Sequence, residues 1–219
     1  MMNPNPGNPQ PDLSERANPA RPASVNGKAK GPDWWLMFSK FLRHGTTIAS
    51  FVPSSPFLAR KMLKGIDWDA AKCIVELGAG TGPITSELVK RAKPGTKLVI
   101  IEQDADFCNR LRQKFPTADI AQADAAKLDE LLAERGIDRA DHVISGLPLP
   151  SFSADLRGGI LASAAKTLSS EGTFRQITNM PWVYFRLYRK YFNDVRFRLA
   201  PINFPPAGFY VCRGYDPQM

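Results

Sequence analysis

Three glycines at alternate positions follow a short apolar run and can bring the backbone close to a ligand. The glycines are Gly78, Gly80 and Gly82. They come directly after residues 74–77, which have the composition of a buried strand, and Pro83 is placed to begin a helix. Such a turn aims a helix N-terminus at whatever binds there. Glu102 ends the next apolar run, where its carboxylate can accept hydrogen bonds from both ribose hydroxyls of a nucleoside. These residues predict a nucleoside site.

The residues around the glycines separate two kinds of nucleoside site. A dinucleotide fingerprint, G-x-G-x-x-G, would need its third glycine where the chain has Pro83. The spacing E-x-G-x-G-x-G, which begins at Glu76, instead resembles motif I of the class I S-adenosylmethionine-dependent methyltransferases. Further matches end the next three predicted strands: Glu102, Ala123-Asp124-Ala125 and Ser145-Gly146-Leu147-Pro148. The alternative is a glycine loop that shapes a tight turn and binds nothing.

From residue 71 onward, predicted strands and helices alternate. Strands are predicted at 72–77, 97–102, 118–123, 141–146 and 172–178. Helices are predicted at 83–92, 105–115, 127–135 and 153–169. Alternation of this kind is typical of a parallel sheet with helices on both faces and ligands at the carboxyl ends of the strands.

The C-terminal part of the chain departs from this alternation. A helix is predicted over 181–193, and strands are predicted over 195–202 and 208–213. The connection through Pro205 and Pro206 is too short for a parallel crossover, so these strands should be antiparallel neighbours. We therefore predict a Rossmann-like α/β fold with a mainly parallel seven-stranded sheet, a terminal antiparallel hairpin, helices on both faces and an N-terminal amphipathic helix.

Composition divides the chain into three segments. Residues 1–31 are rich in Pro, Asn, Gly and Ala and are predicted to be disordered. Residues 32–64 hold the predicted amphipathic helix 34–44 and a segment expected to cover the cofactor, and residues 65–219 form the methyltransferase domain. No run approaches the ~20 apolar residues of a membrane span, and the N-terminus lacks an apolar signal segment. The three cysteines are separated and lack zinc-site spacing, so we expect a cytoplasmic protein without a metal.

The net charge of +8 is concentrated in residues 173–213, which hold seven bases and one acid. On a helical wheel, Trp182 shares a face with Arg186, Arg189 and Lys190, and the other aromatic residues of this segment fill the opposite face. We expect the aromatic face to pack on the sheet. The basic face with its Trp suits an anionic membrane or a nucleic acid.

The predicted N-terminal helix has a second surface of the same character. Its aromatic arc and its bases are Trp34, Trp35, Phe38, Phe41, Lys40 and Arg43. An anionic bilayer would gain about 1 kcal/mol per nearby base, and the arc would lie in the headgroup boundary. RNA would use the same bases on its phosphates and the aromatic rings on unstacked bases. A third interpretation packs this helix on its own domain.

The residues after the fourth predicted strand bear on the methyl acceptor. Enzymes that methylate an exocyclic base amine typically place Asn or Asp there, then Pro, Pro or Leu, and an aromatic residue. This chain has Ser-Gly-Leu-Pro-Leu at 145–149, with neither an amide nor an aromatic side chain. A purine would lose an orienting acceptor and a stacking partner worth about 1–3 kcal/mol. A flexible aliphatic amine needs neither.

The chain resembles the bacterial phospholipid N-methyltransferases. The resemblance is carried by residues 44–62, the glycine motif and residues 145–148, and it covers 34–213. It implies a peripheral enzyme at the inner face of the cytoplasmic membrane that methylates phosphatidylethanolamine stepwise to phosphatidylcholine, with no nucleic acid partner and no metal. Part of the resemblance is shared with ribosomal RNA adenine N6-dimethyltransferases, which stay as the alternative.

The resemblance also implies the roles of individual residues toward S-adenosylmethionine and its product S-adenosylhomocysteine. The cofactor-binding residues would be Glu76, Gly78, Gly80, Gly82, Glu102, Gln103, Asp124 and Ala125, covered by Thr46, Ser54 and Ser55. The amine would be held by Ser145, Gly146, Leu147 and Pro148. Deprotonating a headgroup ammonium at neutral pH costs about 4 kcal/mol, whereas holding amine and methyl in line supplies about 7–11 kcal/mol. Positioning therefore outweighs deprotonation in the expected mechanism.

Replacing Phe38 or Phe41 with Glu tests the N-terminal membrane surface. Each Phe contributes about 1.5–3 kcal/mol on full burial, and the new carboxylate is repelled by anionic lipid. We expect co-sedimentation with anionic liposomes to fall by more than about tenfold, while the melting temperature stays near that of the wild type. A helix that packs on its own domain predicts the reverse, with both variants melting early.

Overall fold

The computed structural model describes residues 56–178, 183–200 and 207–214. All of them belong to one unit of the chain, which runs from Pro32 to Met219. Several sequence predictions lie outside the described residues: the amphipathic helix 34–44, the covering residues Thr46, Ser54 and Ser55, and Trp182.

Seven strands form one mixed sheet. They are β1 (Cys73–Leu77), β2 (Lys97–Glu102), β3 (Asp119–Gln122), β4 (Ala140–Ser145), β5 (Leu168–Thr178), β6 (Asp194–Ala200) and β7 (Ala207–Arg213). Their order in the sheet is β3-β2-β1-β4-β5-β7-β6. The first five strands are parallel, and β7 runs antiparallel to both β5 and β6. The predicted Rossmann-like sheet with a terminal antiparallel hairpin is confirmed.

Helices cover both faces of this sheet. They are α1 (Pro56–Met62), α2 (Pro83–Arg91), α3 (Ala105–Lys114), α4 (Leu128–Glu134), α5 (Ala154–Thr167) and α6 (Phe185–Tyr188). One apolar core lies between the sheet and α4, α5 and α6, and a second lies between the sheet and α1, α2 and α3. Because both faces are covered, β1 is buried at all five positions. None of the described helices has the length and apolar character needed to cross a membrane.

The predicted helix over 181–193 is wrong in its extent. Within residues 183–193 only α6 is helical. A turn precedes it at 183–184, and another follows it at 189–191. Aromatic residues are weak helix formers, so tertiary packing decides their backbone. The turn brings Phe192 onto Phe174 of β5, with ring centroids 5.3 Å apart and planes 9° apart. The aromatic side therefore packs on the sheet as expected, and the bases Arg186, Arg189 and Lys190 are exposed.

The boundary between α5 and β5 also differs from the prediction. The helix ends at Thr167 rather than at 169, and the strand begins at Leu168 rather than at 172. Ala140 of β4 pairs with Leu168, but His142 pairs with Thr173, so β5 carries a bulge between these pairs. The sequence Ser-Glu-Gly at 170–172 has the composition of a turn, and here it forms the bulge within a longer strand.

A buried arginine ties α1 to the sheet. Arg175 of β5 is 3% exposed, and its Nη1 donates to the carbonyl oxygens of Met62 and Lys64 at 2.5 and 2.9 Å. Its Nε donates to the Thr173 hydroxyl at 3.1 Å. Burial lowers the pKa of Arg175 to about 10, so the guanidinium stays charged at neutral pH. A cation at the last carbonyls of a helix is favourably placed, and Arg175 thereby fixes α1 against the sheet.

Replacing Arg175 with Met should loosen α1 before it affects the rest of the sheet. The buried carbonyl of Met62 would lose its donor, which costs about 1–3 kcal/mol, and the part-buried carbonyl of Lys64 would lose the same partner at a smaller cost. We expect faster hydrogen exchange at residues 58–63 than in β1 or β4, measured by mass spectrometry. Arg112→Met is the control, because Arg112 also donates to a carbonyl, that of Ile120, on another side of the domain. Equal exchange in α1 of both variants would contradict this role.

Candidate active site

A cleft opens where the strands β1, β2 and β3 and the loop after β4 end together. Its volume is about 460 Å³, the open space at its mouth included. The lining residues are Gly78, Ile101, Glu102, Gln103, Ala123, Asp124, Ala125, Leu147, Phe152, Leu156 and Ile160. Residues predicted from four separate segments thus meet in one place.

Sequence reasoning missed the apolar wall of this cleft. Phe152 follows a short 3-10 turn at 149–151, and Leu156 and Ile160 lie one turn apart on α5. An apolar pair at this spacing gives the same sequence signal whether it faces a core or a ligand. Only the position of α5 beside the sheet edge distinguishes the two cases.

The glycine loop is confirmed as a tight turn. Gly78, Gly80 and Gly82 have φ values of 73°, 54° and 82°, in the region that side-chain-bearing residues disfavour. Space is restricted as well, because a Cβ on Gly78 would lie 2.4 Å from Leu147 Cδ2. Pro83 begins α2 directly after Gly82, as predicted. The loop therefore brings bare backbone to the cleft and against the residues after β4.

Glu102 holds the glycine loop by a hydrogen bond to its main chain. Its side chain is 1% exposed, and Oε2 accepts a hydrogen bond from Gly80 N at 2.8 Å. Oε1 accepts from the main-chain nitrogens of Gln103 and Asp104 at 2.7 and 2.9 Å. Burial raises the pKa of Glu102, and these three donors oppose the increase. A carboxylate offers about four lone-pair sites, so about one remains for a ligand hydroxyl, rather than the two expected from the sequence, because three main-chain donors already use the others.

Asp124 lies across the cleft from the glycine loop. Its Oδ1 accepts a hydrogen bond from Ala126 N at 2.9 Å and caps the 3-10 turn at 125–127. This cap fixes the side chain beside Ala125, which is also in the cleft lining. The two residues predicted from the third strand end are therefore held at the site by their own local turn.

Glu76 is a buried acid with one unpaired oxygen. Its Oε2 accepts from the Thr85 hydroxyl at 2.7 Å, whereas Oε1 has no hydrogen-bond partner among the described residues. Burial raises the pKa of Glu76 to about 8; the Thr85 hydroxyl opposes the increase, and the charge of Glu102 adds to it. Glu76 is therefore largely protonated at neutral pH. A buried acceptor of this kind is suited to a ligand that brings an N–H group or a positive charge.

The loop after β4 packs directly on the glycine loop. Gly146 N donates to the carbonyl oxygen of Leu77 at 2.9 Å, and a Cβ at position 146 would lie 2.9 Å from the carbonyl oxygen of Gly78. Ser145 is fully buried, and its hydroxyl accepts from Leu147 N at 3.4 Å. A side chain at 146 would consequently displace both loops. The predicted acceptor residues lie beside the predicted cofactor residues.

Among the described residues, no cluster of three or more His, Cys, Asp or Glu side chains has an arrangement suited to a metal ion. The exposed bases Arg186, Arg189 and Lys190 are not in the lining of the cleft. The cleft instead combines carboxylates, main-chain groups and apolar side chains. Such a set can bind and orient an organic ligand that has a polar and an apolar part.

One relative matches this chain over nearly the whole length of that relative. The ornithine lipid N-methyltransferase of Singulisphaera acidiphila is 46% identical over 185 residues, which are 83% of this chain and 96% of the relative. The chain belongs to this family of lipid N-methyltransferases. It is a class I S-adenosylmethionine-dependent methyltransferase, and the cofactor predicted from the sequence is confirmed.

Other matches are shorter or more distant. The ribosomal RNA small subunit methyltransferase A of Leptothrix cholodnii is 31% identical over 88 residues, 40% of this chain and 31% of that protein. The 16S rRNA N2 G1207 methyltransferase of T. thermophilus, solved with AdoMet and guanosine, shares the fold with a TM-score of 0.58. It is 20% identical, and the match covers 75% of this chain and 44% of that one. A family model, the TrkA-N domain, matches residues 79–172, less than half of the chain.

The residues of the cleft fit S-adenosylmethionine. Glu76 is fully buried and is not in the lining of the cleft, but its unpaired Oε1 can receive a positively charged or N–H group. The lack of a Cβ on Gly78 leaves room beside Leu147. Glu102 and Asp124 supply carboxylate oxygens at the strand ends, and Phe152, Leu156 and Ile160 supply an apolar wall. The site thus offers both polar and apolar groups to a ligand.

Replacing Glu76 with Gln tests the buried acid. The folded protein holds a proton on Glu76 up to a pKa of about 8, whereas the unfolded chain releases it near its ordinary value of 4.5. Wild-type stability should therefore fall as pH rises between these values, and Gln removes this dependence. Chemical denaturation at pH 5 and pH 8.5 should show the variant gaining stability relative to the wild type at the higher pH.

Glu171→Gln is the control for that experiment, because Glu171 is exposed. It should leave the pH dependence of stability unchanged. Parallel pH profiles for the wild type and the Glu76 variant would show that Glu76 titrates normally.

Proposed function

We propose that this protein transfers methyl groups from S-adenosylmethionine to the aliphatic amine of a membrane lipid headgroup. The observation that carries the proposal is the 46% identity with an ornithine lipid N-methyltransferase over 96% of that relative. The loop at 145–149 supports it, since it lacks the amide and the aromatic side chain that an exocyclic base amine uses. The ribosomal RNA alternative has the weaker support of a match to 31% of its relative.

The cleft residues divide into two groups by proposed role. Glu76, Glu102 and Asp124, with the glycine loop, would hold the methyl donor, which supplies an electrophilic methyl group on sulfur. The carbonyl oxygens of residues 145–147 would orient the amine. Because the Gly146 and Gly78 backbones are in contact, an amine held by this loop lies beside the donor end of the cleft.

Positioning is the main contribution of these residues to the reaction. In each round, the nitrogen lone pair forms the new N–C bond while the C–S bond breaks. After the first and second rounds the resulting ammonium loses a proton to water, whereas the third round gives a quaternary ammonium that has no proton to lose. Buried carbonyl oxygens can accept N–H hydrogen bonds and so direct the lone pair toward the methyl group. S-adenosylhomocysteine leaves as the second product.

Two headgroups satisfy this chemistry. Phosphatidylethanolamine is the substrate predicted from the sequence, with phosphatidylcholine as the final product. An ornithine lipid is the substrate in the name of the relative, and ornithine also presents an aliphatic amine. We favour ornithine lipid as the first candidate, because the match covers 83% of this chain and 96% of the relative. The proposed place of action is the inner face of the cytoplasmic membrane, with the exposed bases Arg186, Arg189 and Lys190 toward anionic lipid.

Vesicles of defined composition identify the headgroup. Pure protein and radiolabelled S-adenosylmethionine are incubated with anionic vesicles that contain either ornithine lipid or phosphatidylethanolamine. We expect chloroform-soluble label with ornithine lipid at a rate about tenfold or more above that with phosphatidylethanolamine, a difference of about 1.4 kcal/mol in transition-state binding. The reverse ranking would assign the chain to phosphatidylethanolamine, and no label in either lipid would contradict the proposal.

Glu102→Ala is the matched variant for this assay. It removes the acceptor at the glycine loop, and we expect the affinity for S-adenosylmethionine to fall by about 1.5–3 kcal/mol. Calorimetry measures this affinity without the lipid. Loss of lipid labelling in parallel with loss of affinity would show that the labelling comes from this cleft rather than from a contaminating enzyme.

A further inference from the structure

Gln176 is a fully buried amide directly beside the acceptor loop. It lies on β5, where it pairs with Ser145 of β4 and with Tyr210 of β7. Its Nε2 donates to the carbonyl oxygen of Leu147 at 2.7 Å and to that of Ile177 at 2.8 Å. The side chain therefore connects the end of β5 to the loop that we assign to the headgroup amine.

The orientation of this amide is determined by its partners. Both groups that contact the nitrogen are carbonyl oxygens, which only accept hydrogen bonds. Exchanging the amide nitrogen and oxygen would place Oε1 against two other acceptors, so Nε2 must occupy this position. Oε1 then points elsewhere, and it is buried without a hydrogen-bond partner among the described residues. Buried side-chain acceptors are rarely left without a donor, so this oxygen calls for an explanation.

Position 145 provides the explanation. Enzymes that methylate a base amine have an Asn or Asp there, whereas this chain has Ser145, whose hydroxyl is turned to Leu147 N. Gln176 is the cross-strand neighbour of Ser145, so its carboxamide offers an acceptor beside the loop, whereas the aromatic ring that would stack a base is still missing from residues 145–149. We propose that Gln176 is a specificity-determining residue, whose Oε1 accepts an N–H hydrogen bond from the substrate amine while its Nε2 holds the Leu147 carbonyl in place. This inference rests on the proposed function.

The number of N–H groups distinguishes this role from a purely structural one. A neutral primary amine has two N–H groups besides the lone pair that attacks the methyl group. The monomethylated amine has one, and the dimethylated amine has none. A hydrogen bond to Gln176 therefore favours the first methylation most and cannot favour the third. A residue that merely ties β5 to the loop would affect all three steps alike.

The test measures kcat/KM for the first and the third methylation separately. The substrates are vesicles that carry the unmethylated lipid and vesicles that carry its dimethylated form. We expect Gln176→Met to lower the ratio of first-step to third-step kcat/KM by about tenfold, while affinity for S-adenosylmethionine by calorimetry stays within about twofold. Met is similar in length and flexible enough to fill the same buried space.

Two further variants complete the design. Thr167→Val removes a buried hydroxyl on α5 that bonds the Ala164 carbonyl, and it should leave the ratio unchanged. If Gln176→Met does not fold, Gln176→Asn carries the test, because its amide is one methylene too short and should lower the ratio in the same way. Equal loss in both steps, or no loss, would overturn the role of Gln176. Absence of lipid methylation by the wild type would instead overturn the proposed function.

Discussion

Contact between two stretches of bare backbone determines the geometry of this enzyme. The glycine loop after β1 and the loop after β4 approach until Gly146 N bonds the Leu77 carbonyl, and neither Gly78 nor Gly146 has room for a Cβ. Glu102 holds the first loop by its bond to Gly80 N. Because the strands β1 and β4 are adjacent and parallel, their carboxyl ends deliver both loops to the same edge. The proposed methyl donor site and the proposed acceptor site become neighbours by this contact.

Three buried polar side chains lie near that edge, and they differ in charge and in how many of their polar atoms form hydrogen bonds. Arg175 keeps its charge and directs it at the last carbonyls of α1. Glu76 is largely protonated because burial raises its pKa to about 8. Gln176 is neutral and satisfies its nitrogen but not its oxygen. The two groups with an unpaired oxygen, Glu76 and Gln176, are the two that we assign to ligands. The Arg175 guanidinium, which donates three hydrogen bonds within the protein, has a structural role.

Local signals explain which parts could be predicted from the sequence. The glycine turn, the alternation of strands and helices and the antiparallel hairpin follow from glycine spacing, apolar period and connection length, which act within a few residues. The helix predicted over 181–193 was too long, because the position of Phe192 is determined by its contact with Phe174, which lies on another element of the chain. Arg175, Gln176 and the apolar wall of Phe152 and Leu156 have no local signature. Their roles depend on which strand and which helix lie beside them.

The central claim is that an aliphatic lipid amine is the methyl acceptor in this cleft. A competition in one tube tests it most directly: wild-type protein, labelled S-adenosylmethionine, anionic vesicles with amine lipid, and ribosomal RNA at saturating concentration. We expect label in the chloroform phase and background label in the RNA, with the lipid label lost in Glu102→Ala. Label that accumulates in the RNA while the lipid stays unlabelled would contradict it.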